Sequence, residues 1–177
     1  MLTQQLLNLH SPLSTINTSR SDAVNIILTP PADLVVSNVT VPAVASNQMS
    51  FPVSYTVTNA GLGTPDVNNW CERVYLSTSP SLPTILFENG GWYFDYNTWQ
   101  DYSYNDIDES TDWCYIMETV NHTDGLAAGS SYTINRNYTL PSFITRADTF
   151  YIVVVTDANS QVFDYQSEDN NTTASSA

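Results

Sequence analysis

The sequence predicts an antiparallel β-sandwich, and three observations carry that prediction. Apolar and polar residues alternate in several short runs, turns rich in Gly, Pro, Asn and Asp separate those runs, and a helical stripe is confined to a short stretch in "LTQQLLNL". Taken in order, "ADLVVSNVTVP" reads as the first strand. "MSFPVSYTVT" is the clearest case, with Met49, Phe51, Val53, Tyr55 and Val57 on one face and Ser50, Ser54, Thr56 and Thr58 on the other. Pro52 places that strand near an edge or a bulge, because proline has no ladder donor. "NAGLG" is a turn leading into "WCERVYLS". "GSSYTINRNYTL" alternates again, with Tyr132, Ile134, Tyr138 and Leu140 on one side. "DTFYIVVVTD" is apolar on both faces and belongs at the centre of a sheet. "QVFDY" reads as one more strand after a turn at "DANS". Between "WCERVYLS" and "GSSYTINRNYTL" the rhythm breaks, and residues 79–124 read as a long excursion crowded with Trp, Tyr and Asp.

The chain has 177 residues, enough for one domain of ordinary size with an extension. Eighteen acids against four bases give a net charge of −14, and lysine is absent. That balance excludes the basic clusters that phosphate recognition needs, so nucleic acid is not an expected partner. It also opposes docking on anionic lipid. Membrane insertion is not expected either, since no apolar run approaches the ~20 residues of a span. The abundance of Asn, Ser, Thr and Tyr suits an extracellular or cell-surface protein. "MLTQQLLNLHSP" lacks the basic start and apolar core of a secretory leader, so the leader of a precursor is taken to be missing here.

Cys71 and Cys114 each follow a tryptophan, in "NWCERVYL" and "TDWCYIME". They are either two buried thiols or one disulfide, and the disulfide is the expectation for an oxidising compartment. It would close a loop of roughly 40 residues, worth about 3–4 kcal/mol in the chain-entropy model. Sequons stand at Asn17, Asn38, Asn121, Asn137, Asn170 and Asn171. As a group they suggest covalent glycans on a secreted surface, although Asn170 and Asn171 can hardly both carry one.

A resemblance becomes specific in the ordered set "PADLVVSNVTVP", "SYTVTNAGLG", "WCERVYLSTS", "LAAGSSYTINRNYTLP" and "YIVVVTDANSQVFDYQSEDNN". This set resembles a CARDB-type domain, the cell-adhesion-related, immunoglobulin-like module of large microbial surface proteins. The resemblance covers about residues 31–171 and implies an all-β, Ig-like sandwich with the aromatic and acidic insertion at 79–124. In that family an Asp-rich loop usually follows the "VYLS" strand, whereas "TSPSLPT" stands here. The resemblance also implies that the stretch after "EDNN" supplies the last strand of such a module. "NNTTASSA" at 170–177 resembles "NTSRSDA" at 17–23: Asn171 falls on Asn17, Thr172 on Thr18, Ser175 on Ser21 and Ala177 on Ala23. The earlier copy runs on into "VNIILT", the later one does not. The organisation read from this is an N-terminal arm over 1–30, with a donor strand at about 23–30, the sandwich over 31–171 and a tail over 172–177.

No catalytic residue is expected. The carboxylates of the excursion, Asp95, Asp101, Asp106, Asp108, Glu109 and Asp112, are the best enzyme candidates, but sequence cannot set two of them across a cleft. His10 and His122 are isolated in turn-like contexts. No cofactor is required. Calcium is the candidate metal: "NDIDESTD" spaces oxygen ligands at Asp106, Asp108 and Asp112, and Asp157, Glu168 and Asp169 form a second candidate set. Trp92, Tyr93, Tyr96, Trp99, Tyr102 and Tyr104 either stack on sugar rings or form a subunit contact or satellite core.

The expected function is structural: a subunit of an extracellular filament or adhesive array, a homopolymer assembled head to tail. Its partners are copies of itself. The arm residues Val24, Ile26, Ile27 and Leu28 form the subunit interface, by strand addition into the neighbouring sandwich with Val24, Ile26 and Leu28 facing inward. The alternative is a carbohydrate-binding or adhesin module of a larger tandem-repeat surface protein, with the strand supplied covalently by the neighbouring repeat. A carboxylate-dependent hydrolase is a third and weaker reading.

Overall fold

A computed structural model describes residues 21–88, 90–95, 99–108, 110–164 and 168–176. The stretch "LTQQLLNL", His10, Asn17, Tyr96 and Glu109 lie outside the described residues. Three strands, β1 (Leu34–Thr40), β2 (Ser50–Asn59) and β8 (Ser131–Thr139), form one sheet in the order β1-β2-β8. The facing sheet runs β10-β9-β3-β7-β4, from β3 (Trp70–Ser77), β4 (Ile85–Phe87), β7 (Trp113–His122), β9 (Tyr151–Val155) and β10 (Thr172–Ala174). A separate hairpin pairs β5 (Trp92–Asp95) with β6 (Gln100–Ser103). This is an Ig-like antiparallel β-sandwich; β4 alone runs parallel to its neighbour, β7.

Alternation builds the core. Phe51, Val53, Tyr55 and Val57 of β2 face Val74 and Leu76 of β3 and Ile152 and Val154 of β9, all buried in one cluster. Met49 lies outside that face and is exposed. β9 sits between β3 and β10, so its Val153 and Val154 are buried on opposite faces, as a central strand requires. β2 is the middle strand of its sheet, yet β1 reaches only to the Thr40↔Ser54 rung. Pro52 therefore stands where one side of β2 is locally an edge, paired only with Asn137 of β8.

Three sequence expectations are corrected. β7 lies inside the range read as an excursion and is a central strand, so the true interruption between β3 and β7 spans 78–112. "QVFDY" is not a strand over its described residues: Asp157 Oδ1 accepts from the Gln161 N–H at 2.8 Å and Oδ2 from the Val162 N–H at 2.9 Å. Those donors serve a turn and cannot serve a ladder. The segment read as a tail from 172 contains β10, which pairs with β9 through Thr172↔Val155, Thr173↔Val154 and Ala174↔Val153. Thr173 also donates its hydroxyl to Val36 O at 2.7 Å, closing the sandwich on the β1 side.

Candidate functional site

The two ends of the sandwich differ, and the arm belongs to one of them. At the upper pole, where β1 starts, Asn59 is fully buried and uses its whole amide. Its Oδ1 accepts from Asp33 N at 3.1 Å and Gly61 N at 3.0 Å, and its Nδ2 donates to Gly63 O at 2.8 Å and Leu126 O at 2.9 Å. Gly63 N donates to Pro31 O at 3.0 Å and Ala60 N to Asp33 O at 2.7 Å. The "NAGLG" turn thus clamps Pro30–Asp33, the base of the arm.

Before that clamp the chain leaves the domain. Residues 21–30 are exposed and form no ladder, with Val24 81 %, Ile26 79 %, Ile27 84 % and Leu28 83 % accessible. Four aliphatic side chains within five residues are thus held off their own core, a patch of the kind that marks an interaction site.

At the lower pole, where β1 and β8 end and β9 begins, the sheets part around an open cleft of about 810 Å³. Phe51, Leu76 and Ile152 form its floor, Val41–Asn47 one wall and Ile144–Phe150 the other, with Ser176 beside it. β10 points into this cleft: Ser175 N donates to Ile152 O at 2.9 Å, one rung beyond the Ala174↔Val153 pair.

The aromatic residues of the excursion divide. Tyr93 and Tyr104 pack edge-on against Phe87 (6.4 and 6.2 Å between centroids), and Tyr104 meets Trp113 at 5.4 Å. Phe143 closes the group against Tyr104 and Tyr115. Beneath the β5–β6 hairpin these rings continue the main core of the sandwich rather than forming a separate one. Trp92 and Trp99, by contrast, are 53 % and 77 % exposed.

Asp106, Asp108 and Asp112 each take a different partner. Asp106 Oδ2 accepts from the N–H and hydroxyl of Ser103, Asp108 Oδ1 from those of Ser110, and Asp112 Oδ1 from the Thr78 hydroxyl. The serine hydrogen bonds hold the Asp106 and Asp108 carboxyls below their ordinary values. Among the described residues no group of three His, Cys, Asp or Glu is placed to hold a metal ion.

The disulfide is corrected by the ladder. Cys71 pairs with Asn121, whereas Cys114 pairs with Ser77, six residues further along β3. Six residues of strand span about 20 Å, far beyond the ~7 Å between Cα atoms that a disulfide tolerates. Both are buried free thiols. Burial pushes the Cys114 thiol up to about 11, and Cys71 is also raised, by burial first. Of the sequons, Asn38, Asn121, Asn137 and Asn170 are exposed. Asn171 is buried, with its Nδ2 donating to Asp164 Oδ2 at 3.4 Å, so its side chain cannot carry a glycan in the folded domain.

Sequence reasoning missed one buried polar group. Glu72 is fully buried, accepting on Oε1 from Trp70 Nε1 at 3.0 Å and from the Tyr132 hydroxyl, while Oε2 has no partner. Burial raises its carboxyl above the ordinary value, and the Tyr132 and Trp70 hydrogen bonds with the neighbouring His122 pull it partly back. His122 is not in an isolated turn: it ends β7, stacked between Trp70 and Tyr132 at 4.3 Å from each. The signal was present in "WCERVYL", where period two puts Glu72 on the face of Trp70, Val74 and Leu76.

No family model matches the chain, and no curated protein matches it. Among solved structures it is similar to the CARDB domain of the PF1109 protein from Pyrococcus furiosus, a crystal structure in complex with di-metal ions. The identity is 20 %, the TM-score 0.45, and the match covers 81 % of this chain and 89 % of that one. It is also similar to β-glucosidase 3B from Thermotoga neapolitana in complex with α-D-glucose, at 13 % identity and TM-score 0.42, over 81 % of this chain and 16 % of that one. Among the described residues no helix is long and apolar enough to cross a membrane.

Proposed function

We propose that this protein is a structural subunit of an extracellular filament or adhesive array, joined head to tail by its N-terminal arm. The observation that carries the reading is the arm itself: Val24, Ile26, Ile27 and Leu28 stand at 79–84 % exposure while the residues after them are clamped at the upper pole. Burying three such side chains contributes at most roughly 5–9 kcal/mol, from about 1.5–3 each, before the cost of ordering the arm. Main-chain pairing adds register and direction to that gain. A contact made by one patch on a different patch of the next copy does not close on itself unless the rotation allows it, and so generates a filament.

The partners are copies of the same chain, and the exposed sequons add a glycan coat. Sedimentation of the full chain tests the reading: polymers whose size grows with concentration support it, and a monomer at every concentration contradicts it. A second reading is favoured by one observation, the exposure of Trp92 and Trp99. On that reading the β5–β6 hairpin stacks on sugar rings, and glycan binding is lost in Trp92→Ala or Trp99→Ala without any change in assembly.

A further inference from the structure

We infer that the cleft at the lower pole is the acceptor for the arm, and that its occupant is the Val24–Leu28 segment of a second copy, never the chain's own. The inference rests on the head-to-tail reading and gives that reading an address.

Direction decides between the two copies. β9 begins at the cleft and β10 runs antiparallel to it, so a strand prolonging β10 runs into the cleft and out at the lower pole. β1 runs the same way, from the clamp at Leu34 to the cleft wall at Val41. An arm laid along that path leaves at Leu28 on the lower side. Its own Pro30–Pro31 is fixed at the upper pole, beside Gly61 and Gly63. The seven residues of β1 put the poles about 24 Å apart. Two residues bridge at most about 7 Å. The arm therefore cannot enter its own cleft in this direction, whereas the upper pole of a second copy placed below receives its Pro30 without a reversal.

The ladder gives the register. Laying Asn17–Ala23 on Asn171–Ala177 makes Val24 the next residue along β10. Continuing the Thr172↔Val155 to Ala174↔Val153 rungs without a bulge sets Val24 opposite Thr149, Ile26 opposite Ala147 and Leu28 opposite Thr145. All three partners line the cleft. An unshifted ladder turns Ile27 to the floor with Ser175, and a slip of one residue turns Val24, Ile26 and Leu28 there. The slipped register buries three aliphatic side chains, whereas the unshifted one sets Asn25 beside Ile27 on the floor.

Cysteine cross-linking in the full chain tests this, since the native thiols are buried. Ile26→Cys with Ala147→Cys, and Ile27→Cys with Ala147→Cys, are compared with Ile26→Cys with Asn137→Cys, on the exposed face of β8. The expected result is a ladder of covalent dimers, trimers and higher species from at least one Ala147 pair, at least tenfold more abundant than from the Asn137 pair. Which pair dominates reads the register. Polymers that form without cross-links at Ala147 overturn the cleft assignment and leave the head-to-tail reading standing. A protein that stays monomeric, or cross-links only within one chain, overturns both.

Discussion

The carbonyl oxygen of Pro30 lies 1.7 Å from where a Cβ on Gly63 would stand. No side chain fits there, so the turn after β2 can grip the base of the arm only with glycine at this position. Gly63→Ala must push the two segments apart, breaking the Gly63 N–Pro31 O bond and disturbing Asn59 Nδ2–Gly63 O. The expected cost is about 1–3 kcal/mol, as for other overpacked sites. Each kcal/mol lowers the melting temperature of a chain this size by roughly 2–4 °C, which a thermal melt followed by circular dichroism measures.

Ile26→Asp separates assembly from folding. The side chain is 79 % exposed on its own domain, so the melting of dilute monomer should shift by no more than about 0.5 kcal/mol. In an apolar acceptor the same carboxylate is costly to bury, and polymerisation should be lost. Deleting residues 1–29 should act on assembly in the same way. Sedimentation and melting are measured on one preparation; normal polymers from Ile26→Asp would remove the arm from the interface.

Glu72 makes stability depend on pH in an unusual direction. Its carboxyl in the folded chain lies above the ordinary 4.5, mainly through burial, so folding favours the neutral form. The stability this supplies is fully present below about 4.5 and is lost as the pH rises through the raised value. Asp106 and Asp108, both depressed and exposed, act in the opposite sense at the acid end. Urea unfolding from pH 4 to pH 8 should show a decline that Glu72→Gln reduces, the remainder falling to Asp157, whose carboxyl burial also raises. A wild-type profile rising across that range would contradict the buried acid.

Cys71 and Cys114 should react with a thiol reagent only after unfolding, both of them, with no cross-linked peptide in a non-reducing map. Recovery of a Cys71–Cys114 peptide would contradict the β3–β7 register itself. In glycosylated material, sugar should be found among Asn38, Asn121, Asn137 and Asn170 and absent from Asn171, by peptide mass mapping.

Much of the sandwich was legible because β2 and β8 alternate in the sequence and β9 is apolar on both faces, as a central strand requires. β7 was not, because its ladder with β3 shifts between Val74 and Tyr75, leaving Met117 as an extra residue that breaks the alternation. Its Trp, Asp and Tyr neighbours then read as part of the loop. The disulfide expectation failed for a different reason: two identical Trp-Cys contexts say nothing about separation along a ladder. The apolar run "VNIILT" was visible in the sequence, and the structure leaves it exposed and outside any ladder. The cleft was not, because Val44, Leu76, Phe150 and Ser176 converge from four separate parts of the chain. Only the crossing of the sheets places them around one space.

Electron microscopy of the purified full chain shows whether one copy's arm is a strand in the next copy's domain. Unbranched filaments are expected, with an axial repeat of one domain, set by the ~34 Å of a ten-residue strand plus the loops at its two poles. In their reconstruction, density for Val24–Leu28 continues β10 along residues 145–149, the cleft wall that leads into β9. Filaments in which that density belongs to the subunit's own domain, or in which the cleft beside Ser176 is filled by anything other than the neighbour's arm, would contradict it.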